Sequence, residues 1–327
     1  MEITHGTRWQ SFPSPLEQLI RIVANKTGQI FELLLYSSVY LGCAVAGMAY
    51  TCCYLQGISP SLPIIVVLAG VVFSVYNLNR KTDEAEDALN HGKRFEVTSR
   101  LEKPLFIAAL LSYAIVLVIA AMSGPATVLV ALIPLISGIF YSVPLLPRTW
   151  HYRRLKEIPA IKNIVVAGAW GLSFSLVPVF MTGSSPSLVT GVVFLFIFAW
   201  TVVGSVLPDI RDRDGDAATG VKTIPVILGV RETRVFLTVF NGCTAGCLLT
   251  AGLLCLPLTS CGVLLCSVVY SQACILAIGN RKTDDILVDI ISDGQFLTIG
   301  AIAWLASSAV SLLILPGSVM QPPAAFL

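Results

Sequence analysis

Apolar stretches, each near the ~20 residues that a bilayer-spanning helix needs, recur from position 31 almost to the end of this chain. Nothing else in the sequence limits the fold so tightly. In hydrocarbon every backbone N–H and C=O must find an internal partner, which leaves helices as the solution for segments of this length. The segments fall at 31–55, 61–78, 104–122, 125–145, 162–182, 187–208, 235–256, 259–279 and 296–315. They predict an all-α, polytopic membrane protein of nine spans. Gly57/Pro60, Gly124/Pro125, Gly183/Pro186 and Leu256/Pro257 punctuate them. Charged residues are only 12% of the chain, against roughly 25% in a soluble domain. Mean hydropathy is +0.82.

The charges sort by side. With the N-terminus in the cytoplasm, the inner segments are 1–30, 79–103, 146–161, 209–234 and 280–295. Counting Lys162 at the rim of the fifth span, these hold all 21 Lys and Arg of the chain. So complete a bias is a positive-inside signal, and it predicts an integral, multi-pass protein of the cell membrane with its polar loops in the cytoplasm. The net charge of +2 is therefore explained by topology, and no nucleic-acid partner is expected. Residues 1–30 carry Leu16, Leu19, Ile20 and Val23 at helical spacing beside Arg21 and Lys26, as an amphipathic helix on the membrane surface would. A domain of nine helices follows over 31–316, then a short tail over 317–327.

Two aspartate clusters close two of the spans at the same face. Asn79, Asp83 and Asp87 follow the second; Asp209, Asp212 and Asp216 follow the sixth. On a helix each set shares one side. Stacked like charges repel, so the stripes need cations. Oxygen-rich carboxylates suit Mg²⁺, which is commonly held by one or two carboxylates together with substrate phosphates. All six residues are candidate metal ligands. Near them lies a basic loop with Tyr141, Tyr152, Arg153, Lys156, Lys162 and Asn163, and Lys222 follows the second cluster. Cations there would neutralise a bound diphosphate. The nine cysteines lie in or beside spans and form no paired CxxC motifs, so they read as small apolar residues. His5, His91 and His151 share no ligand spacing, and zinc is not expected.

These residues resemble the intramembrane prenyltransferases of the UbiA superfamily. The resemblance rests on the NxxxDxxxD run Asn79–Asp87, the DxxDxxxD run Asp209–Asp216, the YxxxK element Tyr152–Lys156, the segment Leu155–Asn163 with Ala169-Trp170-Gly171, and Gly220-Val-Lys-Thr-Ile-Pro225. It implies nine helices around a central cavity open to the cytoplasmic face. It implies also a Mg²⁺-dependent transfer of a polyprenyl group from its diphosphate to a lipophilic acceptor, through an allylic carbocation. The acceptor is an aromatic ring or a glycerophosphate lipid. In that reading Asp83, Asp87, Asp209, Asp212 and Lys156 are catalytic, and Asn79, Tyr141, Tyr152, Arg153, Lys162, Asn163 and Lys222 bind the prenyl diphosphate. Phe73, Tyr76, Phe140, Tyr141, Trp170, Phe174 and Trp200 stand in spans near enough to shield a carbocation. Two departures bear on the acceptor: Arg80 replaces an Asp found in many members, and His91-Gly-Lys-Arg94 stands near the place of an Arg-Pro pair.

Three other functions compete. A terpene cyclase of the same superfamily would use the same motifs without an acceptor. A CDP-alcohol phosphotransferase requires a DxxDGxxAR pattern that Arg211 and Thr219 break. A transporter commonly keeps its site near the membrane midplane, whereas these carboxylates lie at span ends. One further feature closes a span at the same face: Asn280-Arg-Lys-Thr-Asp284 repeats Asn79-Arg-Lys-Thr-Asp83, with Asp285, Asp289 and Asp293 after it, and reads either as a solvated helix start or as an extra acidic edge to the mouth of the cavity.

Overall fold

Glycine and proline set most of the helix boundaries. The computed structural model describes residues 15–81, 84–142, 147, 154–278 and 285–313. Helices α1 (Pro15–Tyr36), α2 (Val39–Leu55) and α3 (Leu62–Asn79) are followed by the short α4 (Glu84–Asn90) and α5 (Gly92–Arg100). Then come α6 (Glu102–Ser123), α7 (Pro125–Ser142), α8 (Ile161–Met181), α9 (Leu188–Thr219) and the short α10 (Ile224–Leu228). The chain ends in α11 (Val230–Cys255), α12 (Leu258–Ala277) and α13 (Asp285–Leu313). A single turn of 3₁₀ helix, Leu155–Glu157, precedes α8. Proline fits the first turn of a helix because its missing N–H has no partner there anyway. Accordingly Pro125 opens α7, and α3 carries a proline in its first turn.

The long helices close a ring. In order of contact it runs α2, α3, α6, α7, α8, α9, α11, α12, α13 and back to α2. The α2–α13 seam is close, with Gly300 against Gly47; a Cβ on Gly47 would stand 2.5 Å from the Phe296 carbonyl. Small residues at such seams let membrane helices approach closely, where dispersion replaces the hydrophobic drive. One buried cluster includes Met48, Val67, Val71, Phe196, Leu264 and Ile299; a second holds Val206, Leu237, Ile275 and Val288. The outside is apolar as well. Ile107, Leu111, Ile115, Val118 and Met122 form an exposed stripe on α6, the face a lipid-bathed helix presents and a soluble one avoids.

Among the described residues, seven helices are long and apolar enough to cross a membrane, which marks an integral, multi-pass membrane protein. They match seven of the expected spans. The expected span 31–55 is instead a bent pair, with an angle of 66° between Val23–Tyr36 and Val39–Leu55. Ser38 at the break has a left-handed φ of 61°. Ser37 Oγ donates to the Leu34 carbonyl at 3.3 Å, and Asn77 Nδ2 donates to the Ser37 carbonyl at 3.1 Å. Such side-chain bonds compete with the helical ladder. Counting the bent pair as one span gives eight. The expected span 125–145 corresponds to α7, whose apolar part, Pro125–Phe140, falls short of spanning length. Two helices run beyond the apolar segments that predicted them. Helix α9 continues to Thr219 and α13 starts at Asp285, so both carry their carboxylates in helix rather than loop.

Candidate active site

Helix α9 presents the second motif as expected. Asp209 and Asp216 are buried, 4% and 7% exposed, and Asp212 lies between them. Each carboxylate has its own partner. Lys162 Nζ donates to Asp209 Oδ1 at 2.8 Å, and Asn163 Nδ2 to its Oδ2 at 3.3 Å. Arg211 grips Asp212 with Nε at 2.8 Å and NH2 at 3.3 Å. His91 Nε2 lies 3.2 Å from Asp212 Oδ2. Asn90 Nδ2 donates to Asp216 Oδ1 at 3.0 Å.

Those last two contacts tie the motifs together. Asn90 and His91 end the segment that carries the first motif, and they touch the aspartates of the second. The short α4 and α5 thereby fold over the end of α9. Gly215 makes this possible, since a Cβ there would overlap the Asn90 side-chain amide. From the first motif, Asp87 accepts from Arg94 NH2 at 2.8 Å.

A cavity of about 280 Å³ opens beside this network. Asn79, Arg80, Asp87, Arg94 and Lys162 line its polar end; Tyr76, Trp170 and Val166 line its apolar side. Tyr76 and Trp170 stack with ring centroids 6.3 Å apart. Arg80 donates to Asn77 Oδ1 at 3.1 Å and to Ser38 Oγ at 2.8 Å. Burial, then the charge of Arg94, push the Arg80 guanidinium down to about 10, while Asp87, Asp289 and Asp293 act to raise it. It stays protonated at neutral pH. The buried Nε of Arg94 has no hydrogen-bond partner among the described residues. An orphaned cationic donor in the wall of a basic cavity suits an anion there.

The donor chemistry fits Mg²⁺: hard carboxylate oxygens, with ammonium and guanidinium groups now neutralising them. Among the described residues no three acidic, histidine or cysteine side chains gather closely enough to hold a metal ion. Asp83, Tyr152 and Arg153 lie outside the described residues, as do the side chains of Tyr141 and Lys156. Lys222 is exposed in the loop after α9, next to Val221, whose N–H bonds the Asp216 carbonyl at 2.9 Å. Of the aromatic candidates, Tyr76 and Trp170 line the cavity, Phe174 and Trp200 are buried in packing, and Phe140 is 53% exposed on an outer face. All nine cysteines are free thiols.

Asn90, Arg211 and Asp289 were not singled out from sequence as site residues, and His91 and Arg94 were noted only as a departure. Arg94 carries a usable signal, lying two helical turns after Asp87 and so on the same side of an ideal helix. Asn90 and His91 carry none, because their contacts depend on how α4 and α5 fold back.

A model of the UbiA prenyltransferase family matches residues 40–298. The chain is 36% identical over 88 residues to digeranylgeranylglyceryl phosphate synthase of Methanoculleus marisnigri, covering 25% of this chain and 29% of that enzyme. It is 26% identical over 192 residues to the enzyme of that name from Pyrococcus horikoshii, covering 57% and 64%. The matches thus span less than two thirds of either relative. A UbiA homolog from Archaeoglobus fulgidus, solved with GPP and Mg²⁺, superposes with a TM-score of 0.61 at 17% identity, over 85% of this chain and 99% of that one. A family match over most of the length, on a ring of helices with Asn79 and Asp87 in the cavity wall and Asp209 joined to it through Lys162, decides the assignment: the chain belongs to the UbiA prenyltransferase family.

Proposed function

We propose that this protein is a Mg²⁺-dependent membrane prenyltransferase, moving a polyprenyl group from its diphosphate to a lipophilic acceptor and releasing diphosphate. The observation that carries the reading is the packing of the segment after the first motif against the second motif. Asn90 reaches Asp216, His91 reaches Asp212, and the cavity beside them has a cationic end and an aromatic side. Such a cavity suits a molecule with an anionic head and an apolar tail.

In this reading nine helices cross the cell membrane and the motif end of the ring faces the cytoplasm, as the charge partition favours. Bound Mg²⁺ would be held by Asn79, Asp83, Asp87, Asp209, Asp212 and Asp216, and would supply charge neutralisation for the departing diphosphate. Lys162, Arg80 and Arg94 add fixed positive charge at the same end, with Lys156, Lys222, Tyr152, Arg153, Tyr141 and Asn163 around the diphosphate. Preorganised charge aimed at the leaving group lowers the barrier more than the same charge in water. Breaking the C–O bond leaves an allylic cation beside the faces of Tyr76 and Trp170, whose π electrons stabilise it and whose bulk excludes water. The acceptor nucleophile then attacks the cation and loses its proton. The similarity to digeranylgeranylglyceryl phosphate synthases favours a glycerophosphate lipid as acceptor over an aromatic ring.

The test is direct. Purified protein in detergent with Mg²⁺ is given prenyl diphosphates of increasing length, together with a prenylated glycerophosphate or an aromatic acid. The product mass reads chain length and acceptor together. A prenylated glycerophosphate carrying the added prenyl mass is expected. Release of cyclised hydrocarbon with no acceptor consumed would replace this reading by the cyclase.

A further inference from the structure

The third acidic segment has a place in this site. Residues 280–284 lie outside the described residues, but α13 carries Asp289 to the second motif. Arg211 NH1 donates to Asp289 Oδ1 at 2.9 Å, while its Nε and NH2 hold the two oxygens of Asp212 at 2.8 and 3.3 Å. NH2 also lies 3.2 Å from His91 Nε2. All of these side chains are largely shielded: Arg211 is 12% exposed, Asp212 14% and Asp289 19%.

We propose that Asp289 is a positioning residue for the second motif, acting through Arg211 to set both the orientation and the free charge of Asp212. Neighbours in sequence on a helix do not face each other, so the Arg211 guanidinium must curl back to reach Asp212. Asp289, from another helix, anchors its far end. The planar fork then has one edge on Asp212 and one nitrogen on Asp289, a geometry that the single ammonium of lysine lacks. Charge sharing works in the same direction. With two carboxylates on one guanidinium, Asp212 keeps negative charge for a second cation. Remove Asp289, and more of that positive charge falls on Asp212, which becomes a poorer ligand. The acidic edge thus serves the cation site without ligating the ion itself.

This inference rests on the reading that Asp212 helps to hold a divalent ion, and the experiment separates the two. Mn²⁺ is titrated into detergent-purified protein, and free ion is read by its electron paramagnetic resonance signal. Partners that orient metal ligands commonly contribute roughly 10–100-fold in affinity. Asp289→Asn is therefore expected to weaken Mn²⁺ binding by about tenfold, with Asp289→Glu recovering most of the loss. In an Arg211→Gln background Asp289→Asn should add little, because the coupling runs through the guanidinium. Should Asp289→Asn fail to fold, Arg211→Lys carries the same expectation. Unchanged Mn²⁺ affinity in the folded variant overturns the role of Asp289, as does an equal loss in both backgrounds, which would mean direct action on the ion. A wild-type protein that binds no Mn²⁺ overturns the metal reading itself.

Discussion

Asn90 Nδ2 donates to Asp216 Oδ1 across 3.0 Å, joining the segment that follows the first acidic motif to the last carboxylate of the second. The bond fixes the spacing of two motifs that are far apart in sequence. Gly215 keeps its path open, since any Cβ there would occupy the position of the Asn90 amide. Gly215→Ala is accordingly expected to displace Asn90 and leave the buried Asp216 without that donor, a loss of about 1–3 kcal/mol. Thermal unfolding in detergent should show a lowered midpoint, with turnover falling alongside. An unchanged midpoint and unchanged turnover would mean that the bond positions nothing.

Lys162 separates topology from chemistry. If it only marked the cytoplasmic side, neutralising it would be silent, because the remaining cations still give the positive-inside signal. Its 2.8 Å bond to Asp209 and its place in the cavity wall support its proposed role at the diphosphate. Lys162→Gln is expected to lower turnover on the order of 10²-fold, as loss of a charge-stabilising donor does. Lys162→Arg should retain part of it. Equal kinetics for the Gln and Arg variants would return this lysine to a topological signal.

The cavity aromatics should control water. Cation–π stabilisation amounts to about 2 kcal/mol in a dry site, so Trp170→Leu is expected to slow ionisation by roughly thirtyfold. It should also raise the share of prenyl alcohol formed by capture of water. Trp170→Phe should behave more like the wild type. Product ratios by chromatography check this, and an unaltered alcohol fraction in Trp170→Leu speaks against a shielding role.

Orientation is testable at the turn between α8 and α9, where Ser184 is exposed. In a cysteine-depleted background, Ser184→Cys should react with an impermeant thiol reagent added from outside the cell. Reaction only after permeabilisation would invert the topology.

Most of the membrane-spanning helices were legible in the sequence, because hydropathy reports directly on the bilayer, whereas their closing into a ring was implied only by the family resemblance. Helical spacing located the second stripe, which α9 carries as expected, but the first is divided: Asn79 ends α3, Asp87 lies on the separate α4, and Asp83 falls outside the described residues. The break at Ser38 was not legible. It depends on Asn77 and Arg80 reaching back from α3, and local apolarity runs unbroken through it. The fold-back of α4 and α5 was hidden for the same reason, so Asn90 and His91 could not be assigned. The early start of α13 was masked by its own charge. Asp289 reads as part of a solvated helix start, and nothing local shows that Arg211 pairs with it.

The central claim is that the two motifs form one Mg²⁺-dependent diphosphate site, and turnover of a prenyl diphosphate by Asp87→Ala, Asp209→Ala and the double variant tests it most directly. Each single change is expected to cost on the order of 10²–10³ in rate. The double variant should be little worse than the poorer single one, since groups acting as a unit are not additive. EDTA should abolish the wild-type rate and added Mg²⁺ restore it. Turnover within a few-fold of wild type in both single variants, with no response to EDTA, would contradict the account.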